Sequence, residues 1–140
     1  MRVKCLFNTL EAIGDASVKK RLKKFILLDD DHNLGLVEEK VYTVYGIVFR
    51  DNSPWYYLCE QKDEQFPTLK AAELFEVVEN RLSQYWRLSY EAESNFIHSS
   101  LVIEDWAKDR SFYERLLDGK SKEVTIFKKY KEMMDEESIY

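Results

Sequence analysis

Cys5, His32, Cys59 and His98 are, by number, enough side chains to hold a zinc ion. Zinc sites are seeded by ligands close in sequence, as in CxxC or HxxxH, and no two of these four stand at such spacing. The reading is no metal site and two free thiols on half-buried strands. Asp29-Asp30-Asp31 offers hard oxygen ligands, but a calcium loop alternates its acids and closes on a glutamate at its twelfth position. Here the acids are contiguous and Leu34-Gly35-Leu36 follows, the pattern of a solvated acidic loop. His32, directly after the aspartates, is expected at the surface. His98, in NFIHSS, reads as a loop residue or a satisfied core histidine.

Nucleophilic hydrolysis requires a Ser, Cys or Thr beside a base that a third group orients. No GxSxG is present, and neither histidine stands in a catalytic signature. With four glycines in the whole chain, the phosphate-cradling loops GxxxxGK[ST] and GxGxxG are absent. Acids are abundant, so a carboxylate pair for general acid–base chemistry stays open, but no spacing marks one. The sequence reads as a non-enzymatic chain that needs no cofactor.

Aromatic residues make up 14% of the chain. Trp55, Tyr56, Tyr57, Tyr85, Trp86 and Tyr90 fall on strand-like segments, where such a set can stack bases or groove a peptide. Strand alternation sends only half of them outward, and the alternative is that they brace the core. A nucleic-acid platform also needs a basic surround. Nearby stand Arg81 and Arg87, against Glu73, Glu76 and Glu79. The basic runs at 19–24 and 128–131 read as the charged outer faces of helices. The net charge of -5 opposes nucleic acid and favours a basic protein partner.

The elements that must position these groups follow from periodicity. The 140 residues, 45% hydrophobic, fit one domain spanning 1–140, β-rich over 1–90 and helical over 109–135. No apolar run reaches the length of about 20 residues that spans a bilayer. The first residues lack the pattern of a signal peptide, which predicts a cytoplasmic protein. Val3, Cys5 and Phe7 alternate as in a strand. Val18, Leu22 and Phe25 share a helical face, with Asp15 or Ser17 as cap. Residues 41–60 read as an antiparallel hairpin turning at Asp51-Asn52-Ser53-Pro54, with Gly46 marking a bulge or a close backbone approach. Residues 61–70 read as a loop, and 74–90 as a second hairpin. Phe112, Tyr113, Leu116 and Leu117 begin a helix that Gly119 stops, and Ser121 caps a second helix. The acidic tail is expected to fray. The fold class is α+β: a small SH3-like barrel, the favoured form, or a curled antiparallel sheet of about five strands, followed by a C-terminal helical hairpin.

Taken together, VKCLFNT at 3–9, KVYTVYGI at 40–47, ELFEVVENRLSQYW at 73–86, FYERLLDG at 112–119 and IFKKYKEMMD at 126–135 resemble a loose set of small bacterial proteins. Some of that set look like immunity proteins, which sit beside secreted toxins and block them. The set often has an aromatic-Pro-rich approach to its LFEVV strand, where this chain has QFPTLKAAE. The resemblance implies an inhibitor that occludes a basic toxin domain, and it transfers no site residue. The expected contact surface is Trp55, Tyr57, Glu60 and the loop Asp29, Asp30 and Asp31, with aromatics as anchors and acids speeding encounter. The alternatives are an SH3-like adaptor for a peptide or single-stranded nucleic acid, and an enzyme with an unfamiliar pocket around His98 or Cys59.

Overall fold

The computed structural model describes residues 1–93 and 96–137, with the side chains of 93–98 outside that description. His98 as a candidate side chain, and the last residues of the acidic tail, therefore lie outside the described residues. Among the described residues, eight strands and four α-helices follow in the order β1 (Arg2–Cys5), α1 (Ala16–Leu22), β2 (Val41–Thr43), β3 (Gly46–Arg50), β4 (Ser53–Leu58), β5 (Thr68–Ala71), β6 (Phe75–Glu79), β7 (Trp86–Glu93), β8 (Phe96–Ile103), α2 (Glu104–Ala107), α3 (Phe112–Leu117) and α4 (Ser121–Glu137).

The class is α+β, with two antiparallel sheets. A three-stranded sheet runs β2-β1-β6 and a five-stranded sheet runs β5-β4-β3-β8-β7. Neither sheet closes, so of the two architectures the sequence left open the barrel does not form. Short strands suggested closure, but they are divided between two layers.

The run at 40–50 is β-rich throughout, yet it serves both sheets. β2 pairs with β1, and β3 pairs with β4 and β8. The hairpin expected over 41–60 is thus confined to β3 and β4. Its turn is the two residues Asp51 and Asn52, both in the left-handed region at φ 53° and 58°. That backbone matches the twist of paired strands. Gly46 marks a close approach: a Cβ there would lie 3.1 Å from Val102 Cγ1 and 3.2 Å from the Leu101 carbonyl.

The second expected hairpin, 74–90, is not one. β6 pairs with β1, Cys5 opposite Phe75, and β7 pairs with β8, Trp86 opposite Ile103. The N-terminal ammonium lies 3.4 Å from the Glu79 carboxylate and ties the end of β6 to β1. The strand β8 and the short helix α2 were not read from the sequence. Nor was β5, which begins inside the expected 61–70 loop.

Alternation along β4 sends Tyr56 and Tyr57 to opposite faces of the five-stranded sheet. On the Tyr56 side lies the three-stranded sheet, with Phe75 edge-on to Tyr56 at 5.9 Å and to Tyr42 at 6.3 Å. On the Tyr57 side lie α2 and α3, which bring Trp106 and Tyr113 to within 4.7 and 5.2 Å of the Tyr57 ring. The helix α1 is capped by Asp15, whose Oδ1 accepts from the backbone of Ser17 and Val18. The helical hairpin of α3 and α4 turns at Gly119, φ 73°, and α4 packs Phe127 on Tyr45 and Tyr130 on Tyr85.

Candidate interaction surface

The two aromatic residues expected as anchors are covered. Trp55 is 4% exposed, with Phe25 edge-on at 5.3 Å and the Arg50 guanidinium stacked at 4.2 Å. Tyr57 is half-buried between Trp106 and Tyr113, and that burial pushes its hydroxyl up to about 12. Both stand on the face of β4 that α2, α3 and the segment after α1 pack against, and there both rings make contacts within the chain.

Glu60 is engaged inside the protein. Its carboxylate accepts from Lys70 Nζ at 2.6 Å, and the same ammonium donates to the Leu34 carbonyl at 2.7 Å. The carboxylate lies over Gly35, where an added Cβ would be 2.1 Å from Oε1. This contact pins the 32–36 loop to β5. Asp30 pairs with Lys23 at 2.9 Å, while Asp29 and Asp31 are exposed, as is His32. Of the six expected contact residues, Asp29 and Asp31 alone are fully open to a partner.

The wider aromatic set is also mostly internal. Tyr56 and Trp86 are buried, and the Trp86 indole N–H donates to the Tyr45 carbonyl at 3.1 Å. Tyr85 is half-buried. Tyr90 differs, at 64% exposed.

Tyr90 belongs to an apolar surface that the second layer does not cover. Across β7, β8 and β3, Leu88 stands opposite Leu101 and Leu101 opposite Ile47; Tyr90 stands opposite Ser99 and Ser99 opposite Phe49. All lie on the Tyr56 side of the sheet. The three-stranded sheet packs near Tyr56 and leaves Phe49, Leu88 and Tyr90 at 44, 69 and 64% exposure. The surface ends at β7, an eight-residue strand at the edge of the sheet. Along its outer side no strand pairs with it among the described residues. Such an edge is a template for another extended chain. The alternation Trp86-Leu88-Tyr90 was legible in the sequence. Its exposure was not, because exposure depends on how far the other sheet extends.

A second polar grouping lies between the 60s loop and α4, beside a cavity of about 360 Å³. The Tyr45 hydroxyl donates to Asp135 Oδ1 at 2.6 Å, and Lys131 Nζ donates to the Lys62 carbonyl at 2.9 Å. Burial, reinforced by the Asp135 hydrogen bond, holds the Tyr45 hydroxyl well above its ordinary range. Cys59 is close by, and burial pushes its thiol up to about 12 against a partial offset from Lys131. Cys59 is thus a buried thiol, not a thiolate nucleophile. Among the described residues, no three His, Cys, Asp or Glu side chains are grouped so that they could hold a metal ion.

No protein-family model, no curated protein and no solved structure matches the chain. No helix among the described residues is long and apolar enough to cross a membrane.

Proposed function

We propose that this chain is a non-enzymatic protein-binding module, an immunity-type inhibitor that occludes a bacterial toxin in the cytoplasm, and that it docks through β7. The observation that carries the docking is the long open edge of β7 beside the uncovered side chains of Phe49, Leu88 and Tyr90. The occupant is an extended segment of the toxin, added to the sheet beside β7. Its backbone satisfies the outward N–H and C=O groups, and its alternate side chains bury Leu88 and Tyr90. The sequence resemblance to immunity proteins supports a toxin as the partner. The net charge of -5 supports a basic one, because opposite charge speeds encounter.

The test is to co-express the chain with the toxin domain encoded by an adjacent gene. A stoichiometric complex that protects the host is expected. Leu88→Lys and Tyr90→Lys change exposed positions, so both variants should fold. Each should weaken the complex by at least about tenfold, as loss of an interface anchor does. Wild-type binding by both variants would remove β7 from the interface. Failure of every neighbouring toxin domain to bind would count against the inhibitor reading itself.

A further inference from the structure

On the Tyr57 side of β3, across the strand from Phe49, lies a cavity of about 340 Å³. Its walls are apolar: Phe25, Leu28, Leu34, Trp55 and Leu69. Two cations also line it, Arg50 and Lys70, and they differ in one respect. Lys70 is neutralised by Glu60 and also donates to the Leu34 carbonyl. Arg50 lies against two rings, its guanidinium 4.8 Å from the centroid of Phe25 and 4.2 Å from that of Trp55. Its Nε is buried with no hydrogen-bond partner, and among the described residues no carboxylate pairs with it.

A guanidinium taken from water is stabilised by ring faces, but a planar fork of five donors is satisfied fully by an oxyanion. The rim carries a second anomaly. Phe25, Leu27 and Leu28 follow α1 as an exposed apolar run, with Leu27 88% exposed. Apolar side chains clustered at the mouth of an apolar cavity mark a surface that something covers.

We propose that this cavity binds a small amphipathic carboxylate, its head group on Arg50 and its apolar body along Phe25, Leu27 and Leu28. The charge selects the sign of the head group, and the walls select an aliphatic or aromatic body. The site is separate from β7 and goes beyond the inhibitor reading, so either can fail alone.

The test uses the full chain and three probes with the same tail: octanoate, octanol and octyltrimethylammonium. Titrations followed by amide NMR should show saturable octanoate binding, with shifts at residues 25–28, 50 and 55. Octanoate should bind about tenfold or more tighter than the alcohol or the cation, the margin of one well-placed charge-assisted hydrogen bond. Arg50→Met should remove that margin while leaving octanol binding unchanged. Because Arg50 is half-buried, Leu27→Asp provides a second variant at a fully exposed position, and it too should weaken octanoate through like-charge repulsion. Absence of saturable octanoate binding, equal binding of octanoate and octyltrimethylammonium, or an Arg50→Met variant that keeps the octanoate preference would each overturn the proposal.

Discussion

At the residue scale, ring packing is expected to outweigh a single polar contact, and Phe127 and Tyr45 allow a direct comparison. The Phe127 ring is fully buried and edge-on to Tyr45 at 5.8 Å. Phe127→Ala removes the ring and leaves a cavity that the surrounding strands and helix cannot close, which costs about 3–5 kcal/mol. Tyr45→Phe removes only the hydroxyl that donates to Asp135, a carboxylate that Lys131 also approaches at 3.5 Å. The expected loss is about 1 kcal/mol. Urea unfolding of the two variants should rank them in that order. A Tyr45→Phe loss as large as that of Phe127→Ala would mean that the polar cluster, rather than the ring packing, holds α4. The same balance explains what the sequence concealed about Trp55 and Tyr57. Their residue type suits an anchor or a core position equally well. Only the placement of Phe25, Trp106 and Tyr113 against them decides for the core.

At the scale of elements, local signals were legible and pairings between distant segments were not. The Asp15 cap, the Gly119 stop and the Asp51-Asn52 turn each depend on a few adjacent residues. Each can therefore be read from chain order alone. The turn makes a direct test. Asn52 sits at φ 58°, a region that costs a β-branched residue roughly 1–2 kcal/mol and glycine almost nothing. Asn52→Val should destabilise by about that amount, and Asn52→Gly should be neutral or slightly stabilising, measured as shifts of the thermal midpoint. Equal effects of the two would mean that the hairpin turns in another way. By contrast, β6 and β7 follow one another with turn-like residues between them, yet they join different sheets. The rival partners, β1 and β8, were invisible locally. The β1 strand is distant in sequence, and β8 ends in LVI, where strand character gives way directly to α2 at Glu104.

At the scale of the whole molecule, the buried acids with raised proton affinity set how the fold responds to alkali. Burial pushes Cys59 and Tyr57 each up to about 12, and it raises Cys5, Tyr45 and Tyr113 as well. In the unfolded chain these thiols and phenols return to ordinary values, near 9 for cysteine and 10 for tyrosine. Above pH 9 the unfolded state therefore releases protons that the native state still holds. Stability is whole below that pH and falls as pH rises, by about 1.4 kcal/mol per pH unit for each group fully in its window. The cysteines act first and the tyrosines join about one unit later, so the loss should steepen between pH 9 and pH 11. Urea midpoints taken across that range test this directly. Cys59→Ala should flatten the early part of the curve, leaving the share of Cys5, and should leave the steeper tyrosine part in place. If the wild type and Cys59→Ala lost stability in parallel from pH 9 to pH 10, the Cys59 thiol would have to be solvated in the native state. The region around Cys59, Tyr45 and Lys131 would then be open to water, and the packing of α4 against the end of the sheet would be looser than its contacts describe.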